Sequence, residues 1–112
     1  MIKLKFTHKF IIYIPLRDGK NKEIPKSDMD EILNHVLRTL IDLSGGATMI
    51  DGIGYWKDEK NSINTTDTKL IMCYFNDMER MKNILINLAL WVKKETNSKA
   101  ICYEIDDGLY MG

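Results

Sequence analysis

The stretch Gly45-Gly-Ala-Thr-Met-Ile-Asp-Gly-Ile-Gly-Tyr-Trp56 decides how the rest of the chain is read. It holds four of the seven glycines, at positions 45, 46, 52 and 54, and closes on one of the two tryptophans. Ser44-Gly-Gly46 reads as a helix stop, because glycine accepts the positive φ of a helix C-terminus. Ala47 to Trp56 then reads as a strand interrupted by Gly52 and Gly54, which favour a bulge, a strong twist or the close approach of another backbone. Behind it, Lys57 to Thr66 is a polar run with no core signal except Ile63, which predicts a loop.

Upstream of this stretch, Phe6 to Leu16 has the period of a strand. Phe6, Phe10, Ile12, Ile14 and Leu16 fall on one face and Ile11 and Tyr13 on the other, with Pro15 marking the end of the ladder. Arg17-Asp-Gly-Lys-Asn21 is turn chemistry. Ser27-Asp-Met-Asp30 predicts a helix start with Ser27 as N-cap, followed by Ile32, Leu33, Val36, Leu37, Leu40 and Ile41 at helical spacing. Downstream, Asp67 to Phe75 is a strand with an apolar core at 70–75. Asn76-Asp-Met-Glu79 has a capping-box pattern and opens a helix with Met81, Ile84, Leu85, Leu88 and Val92 on one stripe. Lys93 and Lys94 suit the C-terminal end of its dipole. Ala100 to Ile105 is a last strand, and Asp106-Asp-Gly108 turns the chain into a short tail, 109–112.

The order is β-α-β-β-α-β, which predicts an α+β, ferredoxin-like fold: a four-stranded antiparallel sheet with both helices on one face. Tyr13, Tyr55, Cys73 and Phe75 are expected on the opposite face. A face that apolar calls for cover by another subunit. The first strand lies between the third and fourth in such a sheet. That sets Cys73 and Cys102 about 10 Å apart, too far for a disulfide.

Composition narrows the function. The 112 residues make one domain, 45% of them hydrophobic, and 16 basic residues balance 16 acidic ones. There is no electrostatic case for nucleic acid or an anionic membrane, and no apolar run of the roughly 20 residues that span a bilayer. The N-terminus lacks the small-residue cleavage pattern of a signal peptide. Two unpaired cysteines suit a reduced, cytoplasmic setting. With His8 and His35 apart and no CxxC, no metal site or cofactor is expected.

From Gly45 onward the chain resembles two related groups. The broad one is the PII-like family of small ferredoxin-like trimers, with a flexible loop after a Gly-rich second strand and ligand clefts between subunits. The narrow one is the phage-type S-adenosylmethionine (SAM) lyases. The similarity runs through Gly54-Tyr-Trp56, the loop, Thr66-Asp-Thr-Lys69, Asn76-Asp77, the aromatic Trp91 and Ala100-Ile-Cys-Tyr-Glu104. Two positions depart from the lyase pattern: Trp56 where a tyrosine is expected, and Asp67 where a glutamate is expected. A related lyase activity in some CRISPR systems degrades a messenger made by joining SAM to AMP, and an altered pocket fits that larger substrate.

The resemblance implies a homotrimer that binds an adenosine-containing small molecule and needs no strong protein nucleophile. The substrate's carboxylate attacks its own γ-carbon, releasing methylthioadenosine and homoserine lactone. Asp67, Tyr55 and Trp56 are then the catalytic candidates, with Gly52, Gly54, Glu104 and Tyr103 as substrate-binding candidates. Aromatic faces suit a sulfonium, carboxylates suit an ammonium or ribose hydroxyls, and glycines let a backbone come close. The alternative is a PII-like module that binds or sequesters a nucleotide without turning it over, using residues 57–66 as an effector arm.

Overall fold

The computed structural model describes residues 6–112. Residues 1–5, which include most of the stretch read above as lacking a signal peptide, lie outside that range. The elements are β1 (His8–Pro15), α1 (Lys26–Ser44), β2 (Thr48–Lys57), β3 (Ile63–Phe75), α2 (Met78–Glu95), β4 (Cys102–Ile105) and β5 (Gly108–Met111). They form one antiparallel sheet in the order β2-β3-β1-β4-β5, with β1 between β3 and β4 as expected. The sheet has five strands where four were predicted. The tail returns on β4, pairing Cys102 with Met111 and Ile105 with Gly108, and the Ile101 and Gly112 backbones exchange two hydrogen bonds beyond the ladder.

Strand alternation sorts the residues into two faces. Phe10, Ile12 and Ile14 of β1, Ile71, Cys73 and Phe75 of β3, and Tyr103 and Ile105 of β4 point to the helices. There they meet Met29, Ile32, Leu33, Val36 and Leu40 of α1 and Met81, Leu85, Leu88, Ala89 and Val92 of α2. Burying a side chain of this size stabilises the fold by about 1.5–3 kcal/mol, so this layer is the core. Cys73 and Phe75 belong to it, each only 2% exposed, and not to the opposite face where they were expected. The register explains the shift. Residues opposite one another in the ladder share a face, and Cys73 and Phe75 pair with Phe10 and His8, on the inward series of β1. Tyr55 also lies on the helix side, but out on the β2–β3 hairpin where no helix reaches, and it is largely exposed. Of the four residues named, only Tyr13 occupies the helix-free face.

The local signals hold with corrections. Gly45 caps α1 at φ 91°, its N–H donating to the carbonyl of Ile41. The start of α1 differs: Pro25 precedes it with no side-chain cap, and Ser27 is already inside the helix. The proline ring fixes φ at −53°, and the Pro25 carbonyl accepts the helix's first N–H, from Met29. At α2 the cap is Asp77, whose carboxylate accepts from the backbone N–H of Arg80.

The largest correction concerns residues 57–66. The β2–β3 ladder runs unbroken from Thr48–Met72 to Lys57–Ile63, with no bulge at Gly52 or Gly54. Half of what read as a polar loop is strand, because polar β-branched residues such as Thr65 and Thr66 suit an exposed hairpin as well as a loop. Only residues 58–62 turn the chain.

Candidate functional site

The helix-free face of the sheet carries a cavity of about 680 Å³. Its floor is the sheet itself: Tyr13 and Pro15 of β1, Gly54 and Trp56 of β2, Asn64, Thr66 and Thr68 of β3, and Cys102 of β4. Met111 of β5 closes one side, and the turn at 17–21, the segment 98–100 and Asp58 form the rim. The glycines act here by what they lack. Neither Gly52 nor Gly54 has positive φ among the described residues. Both point their missing side chains onto this face. A Cβ at Gly54 would stand 3.4 Å from Thr68 Oγ1, and one at Gly52 would stand 3.0 Å from Leu70 Cδ1. Bare backbone at Gly54 leaves room in the cavity, whereas Gly52 borders a separate hollow further along β2.

Two turns of the same build frame the mouth. In Arg17-Asp-Gly-Lys-Asn-Lys22, the Asp18 carboxylate accepts from the backbone N–H groups of Lys20 and Lys22, and Asn21 sits at φ 61°. In Lys57-Asp-Glu-Lys-Asn-Ser62, Asp58 accepts from the N–H groups of Lys60 and Ser62 and from Asn64 Nδ2, and Asn61 sits at φ 66°. Asparagine tolerates this left-handed conformation better than most residues. Hydrogen bonds from Asn64 and the backbone hold the Asp58 carboxyl below its ordinary value, and backbone N–H groups do the same for Asp18. The shared Asp-x-Lys-Asn pattern was legible in the sequence and is the signal that would have replaced the predicted loop with a second tight turn.

Next to the cavity, the Tyr13 hydroxyl donates to Glu104 Oε2. Glu104 pairs with Ile11, so it shares the helix-free face with Tyr13, two residues along β1. Sequence reasoning named Glu104 and placed Tyr13 on this face, but did not count Tyr13 among the site residues.

The predicted site residues divide into three sets. Trp56, Gly52, Gly54 and Glu104 lie on the helix-free face, and Trp56 and Gly54 line the cavity itself. Asp67 and Tyr55 lie on the other face of the hairpin. Asp67 pairs with Ile53 and borders a separate hollow with Leu16, Asp51 and Lys69, and its carbonyl accepts from the N–H of Leu16. Tyr103 is in the core, its ring stacked on Tyr110 with centroids 5.5 Å apart and tilted against Phe10. Of the two predicted carboxylates, then, Glu104 is the one that shares a face with the aromatic floor within one chain, while Asp18 and Asp58 stand at the cavity rim. Among the described residues no group of three or more His, Cys, Asp or Glu side chains is placed to hold a metal ion, and no helix is long and apolar enough to cross a membrane.

Comparison with solved structures places this geometry. A phage SAM lyase in complex with S-methyl-5'-thioadenosine superposes with a TM-score of 0.72 at 11% identity, over 100% of this chain and 95% of that one. The chain has the fold of the phage SAM lyases. A phage SAM lyase in its apo state matches equally well, with a TM-score of 0.72 at 13% identity, covering 94% of its length. No family model and no curated protein matches the sequence. The SAM-lyase likeness spans the whole chain, where the sequence resemblance began only at Gly45.

Proposed function

We propose that this protein is a cytoplasmic carbon–sulfur lyase that cleaves S-adenosylmethionine or its conjugate with AMP. The supporting observation is the full-length likeness to a fold solved with methylthioadenosine bound, in a chain whose helix-free sheet face carries an aromatic-floored cavity. In this reaction the substrate's carboxylate oxygen forms a bond to its own γ-carbon as the C–S bond breaks. The electron pair stays on sulfur, so the sulfonium leaves as neutral methylthioadenosine and the remainder as homoserine lactone. No proton has to move and no protein nucleophile is needed. The protein's part is to fold the methionyl chain into attack geometry, an effect worth several kcal/mol.

Trp56 offers its face to the sulfonium, a cation–π attraction of about 0.5–2 kcal/mol. Glu104 holds the ammonium, and Gly54 leaves room for the substrate beside the backbone. Asp67 and Tyr55 face away from the cavity of their own chain. In the homotrimer we propose, their side of the hairpin meets the helix-free face of the next subunit, and they join the site from there. Tyr103 supports β4 from beneath and reaches the substrate only through Glu104 and Cys102.

The test is a product assay: purified protein incubated with SAM, and separately with the SAM–AMP conjugate, and analysed for methylthioadenosine or its adenylylated counterpart. Product from either supports the proposal. Tight binding with the ligand recovered intact points instead to the nucleotide-sequestering module. Neither binding nor product defeats both.

A further inference from the structure

Among the described residues, Tyr13 is the one aromatic side chain that both lines the cavity and donates a hydrogen bond to a candidate ligand-binding carboxylate. It stands opposite Leu70 on β3 and two positions from Ile11, whose partner on β4 is Glu104. Both side chains are half-buried. Among the described residues Glu104 receives no other hydrogen bond, so the phenol fixes one carboxylate oxygen, Oε2, and leaves Oε1 for a ligand. A carboxylate on a free glutamate side chain samples several rotamers, and pinning one oxygen removes part of the entropy cost of binding a cation.

We propose that Tyr13 is a positioning residue that orients Glu104 toward the cationic end of the ligand while its ring walls the cavity. The inference rests on the lyase reading and extends it to a residue that reading did not include. The titration of the phenol agrees with this geometry. The Glu104 carboxylate, which accepts the hydrogen bond of the phenol, together with partial burial, pushes Tyr13 up from its ordinary 10 to about 12.

Two ligands separate the positioning role from a merely structural one. Methylthioadenosine is neutral and lacks the amino-acid end. A stable SAM analogue carrying an amine in place of the sulfonium keeps that end and its charge. Calorimetric binding to wild type and Tyr13→Phe should show the amine analogue weakened about tenfold, as for loss of one hydrogen bond to a charged group, with methylthioadenosine unchanged within about twofold. Equal weakening of both ligands, or of neither, overturns the positioning role and leaves the lyase reading standing. If the wild type binds neither ligand, the lyase reading and this inference fall together. An absorbance titration of Glu104→Gln supplies a readout independent of ligand. The Tyr13 phenol should drop from about 12 toward its ordinary 10. An unmoved titration shows that Glu104 does not hold the phenol in solution and defeats the inference.

Discussion

Single side chains here fix backbone that the sheet cannot. Asp106 sits at φ 54°, accepts from the N–H of Lys9 at 3.0 Å and pairs with His8 Nδ1 at 2.9 Å. His8 and the Lys9 N–H together hold its carboxyl below the ordinary 3.8. A carboxyl lowered on folding contributes stability above its unfolded value, and that stability is lost as pH falls through the lower folded value. Asp106→Asn keeps the tolerance for positive φ and removes the charge. It should lower stability by no more than about 1 kcal/mol at pH 7, since the carboxylate is 40% exposed. The gap to wild type should close below about pH 4 in calorimetric melts at a series of pH values. Trp56 gives the complementary case. The residue is 46% exposed within one chain, so Trp56→Ala should cost no more than about 2 kcal/mol of stability. Lyase turnover should fall on the order of tenfold if the ring faces a sulfonium. A large loss of stability with unchanged turnover would make Trp56 a packing residue.

At the scale of elements, the readable features were those with a strong local cause. The apolar stripes of both helices, the glycine stop at 45 and the alternation of β1 each follow from one period or one backbone requirement. Gly45→Ala tests the stop: nothing lies within 4 Å of the added Cβ, so the cost is conformational alone. The expected loss is about 1 kcal/mol, a fall of roughly 5 °C in melting temperature, with the folded spectrum unchanged. The elements that escaped were those whose cause lies elsewhere in the chain. The distal half of the β2–β3 hairpin has no apolar alternation to announce it. Rung-by-rung pairing and the Asp58 turn hold it, and pairing partners are invisible to a local reading. The tail at 109–112 looked like a turn and an end, and became β5 only because β4 offered an open edge. Ser27 was named as a cap on its residue type and the acids that follow it, while Pro25 two residues earlier set the boundary. The faces of Tyr55, Cys73 and Phe75 depended on register, which a shift of one residue would invert.

For the whole molecule, the helix-free face sets the question of assembly. Ile50, Trp56, Tyr74, Leu109 and Met111 all lie on it with 45% or more of their surface exposed. A patch of this kind is unusual on a protein that works alone. If it is the contact between subunits, Ile50→Lys should leave the far-ultraviolet spectrum intact and convert the oligomer to monomer in light scattering. A wild-type protein that is already monomeric at micromolar concentration would argue against the trimer. The overall plan was legible because two helical stripes and one inward sheet series admit few arrangements. The candidate site was less so: the sequence reading named Trp56 and Gly54, which line the cavity, whereas the placement of Asp67 and Tyr55 on the far side depends on a ladder that no spacing rule reveals.

The paired Asp-x-Lys-Asn turns at 18–21 and 58–61 carry a consequence for selectivity. Each is knotted by its own carboxylate, and one of them ends a ladder of ten unbroken pairs. A frame tied this way resists reshaping, since each turn would have to break hydrogen bonds of its own to move. Which molecules pass is decided by the side chains that stand in it, and a change of ligand preference would have to come through substitution of those side chains, with the frame left as it is.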